Sequence, residues 1–133
     1  MKNHITLLLV FILFLGSCKT RTNNDNSSEA STPGIMERLD VAQFQKKLAE
    51  VPNPQLIDVR TPEEYTGGTI GDAVNMNFHS DDFEQNLNSL DKSKPVFVFC
   101  QAGGRSLKSA KMMQELGFQE VYELEVGYSG WEH

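Results

Sequence analysis

Residues 95–99 read PVFVF, with two valines, two phenylalanines and no polar side chain. The run is too short for a buried helix, and it lacks the alternation of a strand with one wet face. It therefore predicts a strand covered on both sides. Such a strand is stable only inside a sheet with other elements packed above and below it. The class that supplies them is α/β, a small parallel sheet with helices on both faces.

The flanking sequence agrees. Val41, Phe44, Leu48 and Val51 recur at helical spacing behind Asp40, a good N-cap. PQLIDV at 54–59 predicts a short buried strand. In the segment after it, Thr61 caps, Pro62 takes the first helical position and Glu64 stands three residues after the cap, a capping box. AVNMN at 73–77 is a further strand. Ser80 can cap a helix whose Phe83, Leu87 and Leu90 share a face. After the central run, Leu107, Ala110, Met113 and Leu116 form one helical stripe ended by Gly117, and EVYEL at 120–124 is a last strand. About four strands are expected, with the ordered domain over residues 35–133.

The first 34 residues have a different character. Lys2 precedes a largely apolar run from Ile5 to Leu15, and small residues stand just before Cys18, the layout of an export signal over residues 1–17. Eleven residues fall short of the roughly 20 needed to cross a bilayer. Leu15-Gly16-Ser17-Cys18 resembles a bacterial lipobox, which implies that Cys18 becomes the lipidated first residue of a lipoprotein held on a bacterial membrane, in the cell envelope and facing the periplasm. An uncleaved anchor helix and a plain secreted protein are the alternatives. Residues 18–34 are polar and aperiodic and predict a disordered tether, with a coil dimension of roughly 20–24 Å. The net charge of −6 becomes about −7 once Lys2 leaves with the signal. Nucleic-acid binding is thereby disfavoured, because it calls for a basic face. With Cys18 acylated, Cys100 is the one thiol left, so no disulfide can form within the chain.

Cys100 opens the loop Cys100-Gln101-Ala102-Gly103-Gly104-Arg105-Ser106, between the central strand and the helix expected to begin near Arg105 or Ser106. In open parallel sheets ligands bind beyond the carboxyl ends of the strands. Gly103 and Gly104 can take positive φ and turn successive backbone N–H groups toward one point, an anion cradle with a sulfur in it. Lowering a thiol pKa by two units takes about 2.7 kcal/mol. A helix N-terminus and a few hydrogen bonds to the thiolate are enough. Arg105 adds charge of the same sign, so Cys100 is expected to be largely a thiolate near neutral pH. Taken singly, a cysteine at a strand end is a small buried apolar residue and two glycines are a tight turn. Their coincidence with Arg105 at one strand-to-helix junction points to a functional loop.

Two chemistries use such loops. Cysteine phosphatases resemble this motif but place five residues between cysteine and arginine, whereas four stand between Cys100 and Arg105. The shorter loop is tight for phosphate and suits a sulfur already attached to the cysteine. LIDVRTPEEY at 56–65, CQAGGRS at 100–106 and LEVGYSGW at 124–131 together resemble the three ordered signatures of the single-domain rhodaneses. The chain departs from those signatures at Thr69, Gly71, Asp72 and Val126, where the family often has histidine, proline, glycine and glycine.

The resemblance implies a sulfurtransferase. Cys100 attacks the outer sulfur of a donor such as thiosulfate, becomes a persulfide, and passes that sulfur to cyanide or a thiol. Backbone N–H groups of 101–105 hold the persulfide, Arg105 and Ser106 complete the substrate site, and Asp58 and Arg60 brace it. Glu63 and Glu64 are helix-start residues, since this chemistry needs no acid/base pair. No cofactor or metal is expected, and the protein is expected to act as a monomer. The other class left open is a persulfide-carrying or thiol-binding module that serves a partner protein without turnover.

Overall fold

The computed structural model describes residues 34–131. The expected signal segment, the expected acylation site Cys18 and the expected tether up to residue 33 lie outside them.

Five strands form the sheet: β1 (Ile35–Leu39), β2 (Gln55–Asp58), β3 (Val74–Asn75), β4 (Val96–Phe99) and β5 (Glu120–Leu124). Their order is β1-β5-β4-β2-β3 and every neighbouring pair is parallel. The helices are α1 (Val41–Glu50), α2 (Pro62–Thr66), α3 (Phe83–Asn88) and α4 (Gly104–Glu115), with a 3-10 turn over Tyr128–Gly130. This is the α/β sheet that the sequence predicts.

Strand β4 behaves as its composition demands, with all four residues buried. Its side chains alternate between two cores. Val96 and Val98 join Phe83, Leu87, Ala110 and Met113 of α3 and α4 on one face. Phe97 and Phe99 join Phe44 of α1 with Leu56, Tyr122 and Leu124 on the other. Phe44 sets its ring edge against Phe97 at 5.5 Å between centroids, one of the geometries aromatic pairs favour. Asp40 and Thr61 both cap their helices with complete capping boxes.

Four expectations change. Residues 35–39 form a fifth strand at the sheet edge. IMERL has two charged residues in five and its alternation is weak, in keeping with an edge strand paired only with β5. The cap of α3 is Asp82 rather than Ser80, and it makes no side-chain capping bond. Ser80 closes a turn instead, its carbonyl accepting from the N–H of Phe83 and its hydroxyl bonding the Asp82 carboxylate. Helix α4 starts at Gly104, behind Gly103 in the left-handed region at φ 85°. Its buried face is Ser106, Ser109, Ala110 and Met113, while Leu107 and Leu116 are only half-buried. Two serines can face the core because each hydroxyl has a partner: Ser106 bonds Glu123, and Ser109 bonds the carbonyl of Arg105.

All five strands run the same way, so Leu39, Asp58, Asn75, Phe99 and Leu124 end on one rim of the sheet. Everything described next lies on that rim.

Candidate active site

Cys100 follows the last residue of β4 and is buried, with 1% of its surface exposed. The loop behind it is held from outside. The Tyr128 N–H donates to the Cys100 carbonyl at 2.7 Å and the Ser129 N–H to the Gln101 carbonyl at 3.0 Å. Close approach of the two segments depends on Gly127, at φ 63°, where a Cβ would stand 2.5 Å from the Cys100 oxygen. Gly103 is pressed equally hard on its other side, since a Cβ there would lie 2.0 Å from the carbonyl oxygen of Glu125. Gly104 has a different role from the one expected. It is the first residue of α4, it has no positive φ, and a Cβ would meet nothing within 4 Å. One glycine makes the turn, and the other leaves open space at its position.

The turn aims backbone at the sulfur. The Gly103 N–H donates to Cys100 Sγ at 3.2 Å, and Ser106 Oγ lies 3.3 Å from it. Burial pushes the thiol pKa up. The Ser106 hydroxyl and the N–H groups of Ser106, Ala102 and Gly103 pull it down and prevail, so it lies below the ordinary value.

Arg105 carries a partner that local sequence does not reveal. Its two terminal nitrogens each donate to one carboxylate oxygen of Glu64, both at 2.7 Å, the fork-to-fork geometry that fixes a guanidinium most firmly. Glu64 is pulled down to a pKa of about 2, chiefly by this pair and against the effect of its own burial. The same carboxylate accepts the Thr61 N–H at 2.9 Å. The helix-start role is thus real and is combined with a second one. Glu63 is exposed and takes no part.

Asp58 and Arg60 are both buried. Arg60 Nη2 donates to Asp58 Oδ2 at 2.7 Å and to the Gly68 carbonyl at 2.6 Å, and Nη1 reaches Gln101 Oε1 at 3.3 Å. Its guanidinium lies over the Tyr128 ring, 3.9 Å from the centroid, where the quadrupole of the ring attracts a cation. Thr69 donates to Asp58 Oδ2 at 2.8 Å. Arg60 therefore ties the end of β2 to the loop after β4 and to the turn that closes over it. Asp58 reaches the loop only through Arg60, which touches it at Gln101.

Two further residues reach this rim without a signal that local reading picked up: Arg38 and Glu123. Glu123 carried the best available hint, a carboxylate set between the apolar body of Tyr122 and Leu124 in a short strand. A cavity of about 440 Å³ lined by Leu48, Asn53, Pro54, Leu56, Gly71 and Asp72 opens near the amino ends of β2 and β3, away from Cys100.

Comparison with known proteins agrees with this geometry. The family model described as rhodanese-like domain matches residues 40–133. YqhL of Bacillus subtilis is 35% identical over 97 residues, which are 73% of this chain and 73% of that protein. The thiosulfate sulfurtransferase GlpE of Shewanella oneidensis is 29% identical over 85 residues, covering 64% of this chain and 82% of the relative. A crystal structure of a rhodanese-like domain protein from Staphylococcus aureus superimposes with a TM-score of 0.64 at 30% identity, over 73% of this chain and 92% of that one.

Proposed function

This chain belongs to the rhodanese-like domain family, and on that premise we propose that it is a sulfurtransferase working through a persulfide on Cys100. The observation that carries the proposal is the sulfur itself. It sits at the carboxyl end of β4 with the Gly103 N–H 3.2 Å away, in a loop closed by an arginine after four residues. Its thiol pKa lies below the ordinary value even though burial pushes it up.

The Cys100 thiolate attacks the outer sulfur of a sulfane donor such as thiosulfate. A new S–S bond forms as the donor's own S–S bond breaks, and sulfite departs with the bonding pair. The resulting persulfide anion is held by the N–H groups that lower the thiol pKa. A thiophilic acceptor, cyanide or a thiol, then takes the outer sulfur, and Cys100 returns as thiolate. Arg105, fixed by Glu64, faces the incoming anion with a settled guanidinium plane. Gly104 leaves room for that anion at the start of α4. Arg60, held by Asp58, braces the loop at Gln101.

Incubation with thiosulfate followed by intact-protein mass spectrometry tests this reading. A mass gain of one sulfur atom is expected, reversed by cyanide and absent in Cys100→Ser. Failure to gain sulfur from thiosulfate or any other sulfane donor would refute it. Loading without turnover would indicate a carrier that delivers sulfur to a partner protein. For location, we propose export and acylation at Cys18, with the protein acting as a monomer anchored to a bacterial membrane and facing the periplasm. A Cys18→Ala chain that still fractionates with membranes would overturn the anchoring.

A further inference from the structure

Each arginine around the Cys100 loop is engaged by a carboxylate. Arg105 gives both terminal nitrogens to Glu64 at 2.7 Å, and Arg60 is buried against Asp58. Arg38 pairs with Glu123 at 2.6 Å and has Glu125 3.9 Å away on its other side. Three cations thus face four carboxylates, and the Cys100 thiolate adds a further negative charge. An anionic sulfane donor that approaches this rim meets directed N–H groups but no surplus of positive charge. Thiosulfate is a dianion, so its approach is opposed unless another cation stands at the mouth.

Among the described residues, Lys46, Lys108 and Lys111 are the basic side chains with no ion pair or hydrogen bond. Lys46 stands on α1, whose Phe44 packs on one face of the sheet, whereas Ala110 and Met113 of α4 pack on the other. Lys108 and Lys111 are exposed on α4, and Lys108 is the nearer to the loop. It follows Gly104 by four residues, which sets the two on one face of the helix, and the rise between them is about 6 Å. Helical side chains lean toward the amino end and cover the turn before their own Cα. The four-carbon stem of Lys108 is long enough to bring its ammonium over Gly104, where a Cβ would meet nothing within 4 Å. The unsatisfied N–H groups at that end of α4 favour an anion in the same place.

We propose that Lys108 is a substrate-binding residue, which pairs with the oxyanion end of the donor in the open space at Gly104 while the donor's outer sulfur meets Cys100. Arg105, its charge matched by Glu64, sets direction, and Lys108 supplies the unmatched charge. When the donor's S–S bond breaks, sulfite leaves with the bonding pair and is itself a dianion, so the same ammonium faces the leaving group. The site is thereby selective for sulfane donors whose departing group is anionic. This deepens the sulfurtransferase reading and rests on Cys100 as its reacting sulfur.

The test compares two alkylating reagents with one leaving group, the anion iodoacetate and neutral iodoacetamide, on the full chain at low ionic strength. Alkylation is followed at the Cys100 peptide by mass spectrometry. The ratio of the two rates cancels the thiolate fraction of Cys100 and reads the charge that the incoming reagent meets. It needs no sulfane donor, so this proposal and the sulfur chemistry fail separately. Lys108→Gln is expected to slow iodoacetate about fivefold relative to iodoacetamide, and Lys108→Arg to restore the ratio. Lys111→Gln, one turn further along α4, should change it by less than about twofold. Raising the ionic strength to about 0.3 M should bring the wild-type ratio toward that of Lys108→Gln. Thiosulfate should lose more than iodoacetate in Lys108→Gln, roughly tenfold in kcat/KM through a higher KM. An unchanged ratio in Lys108→Gln, or an equal fall in Lys111→Gln, overturns the assignment. Equal slowing with both reagents also overturns it, because Lys108 would then act on the thiol or the fold and not on the incoming anion.

Discussion

Replacing Glu64 with glutamine should remove the charge that holds Arg105 while leaving α2 capped, because the glutamine oxygen can still accept the Thr61 N–H. The carboxyl pKa is lowered from an ordinary 4.5 to about 2, with the Arg105 hydrogen bonds as the largest cause. If the pair were fully shielded, that lowering would correspond to about 3 kcal/mol of folding stability. The two side chains are 21% and 30% exposed, and solvent screening brings the figure to about 1–2 kcal/mol. The folded pKa lies below the unfolded one, so this stability is fully present above pH 4.5 and disappears as pH falls through that value toward about 2. Urea unfolding of wild type and Glu64→Gln at a series of pH values reads it directly. The variant should be about 1–2 kcal/mol less stable at neutral pH, and the two curves should converge in acid. Sulfur loading should also slow in the variant, because Arg105 loses its fixed plane. A stability difference that is the same at neutral and acid pH would refute the reasoning, as it would show that the loss comes from packing or the cap and not from the ion pair.

Three other outcomes follow from the rim geometry. Gly103→Ala must place a side chain at φ 85° against the Glu125 carbonyl, so it should lose at least about 2 kcal/mol and fail to load sulfur. Gly104→Ala meets nothing within 4 Å and should be about 0.5–1 kcal/mol more stable, with a raised KM for the donor because the new methyl stands in the open space. Thermal melts and thiosulfate kinetics on the two variants check both statements. Thr69→Val removes the 2.8 Å bond to Asp58 and should cost about 1 kcal/mol in urea unfolding, since Arg60 still pairs with the carboxylate it leaves.

What could be read from the chain depended on how far each signal had to reach. Helices α1 and α2 announce themselves within a few residues through cap, proline and periodicity, and β4 does so through composition alone. The loop after β4 was legible for the same reason, since cysteine, glycines and arginine are contiguous. Strand β1 was not, because an edge strand covered on one side has no strong pattern to show. The ion pairs were not either: Arg105 finds Glu64 across 41 residues and Arg38 finds Glu123 across 85. Yet Glu123 could have raised a question before any partner was known. A carboxylate between Tyr122 and Leu124 in EVYEL is buried if the strand is covered on both faces, and a buried carboxylate needs donors around it. The sheet order decides which donors those are. With β5 between β1 and β4, one side must supply Arg38, while the other carries the cysteine loop and the helix that brings Ser106. No local pattern contains that order. The run of contacts from Arg38 through Glu123 and Ser106 to Cys100 is therefore a property of the parallel topology, present only because β1 closes the sheet beside β5.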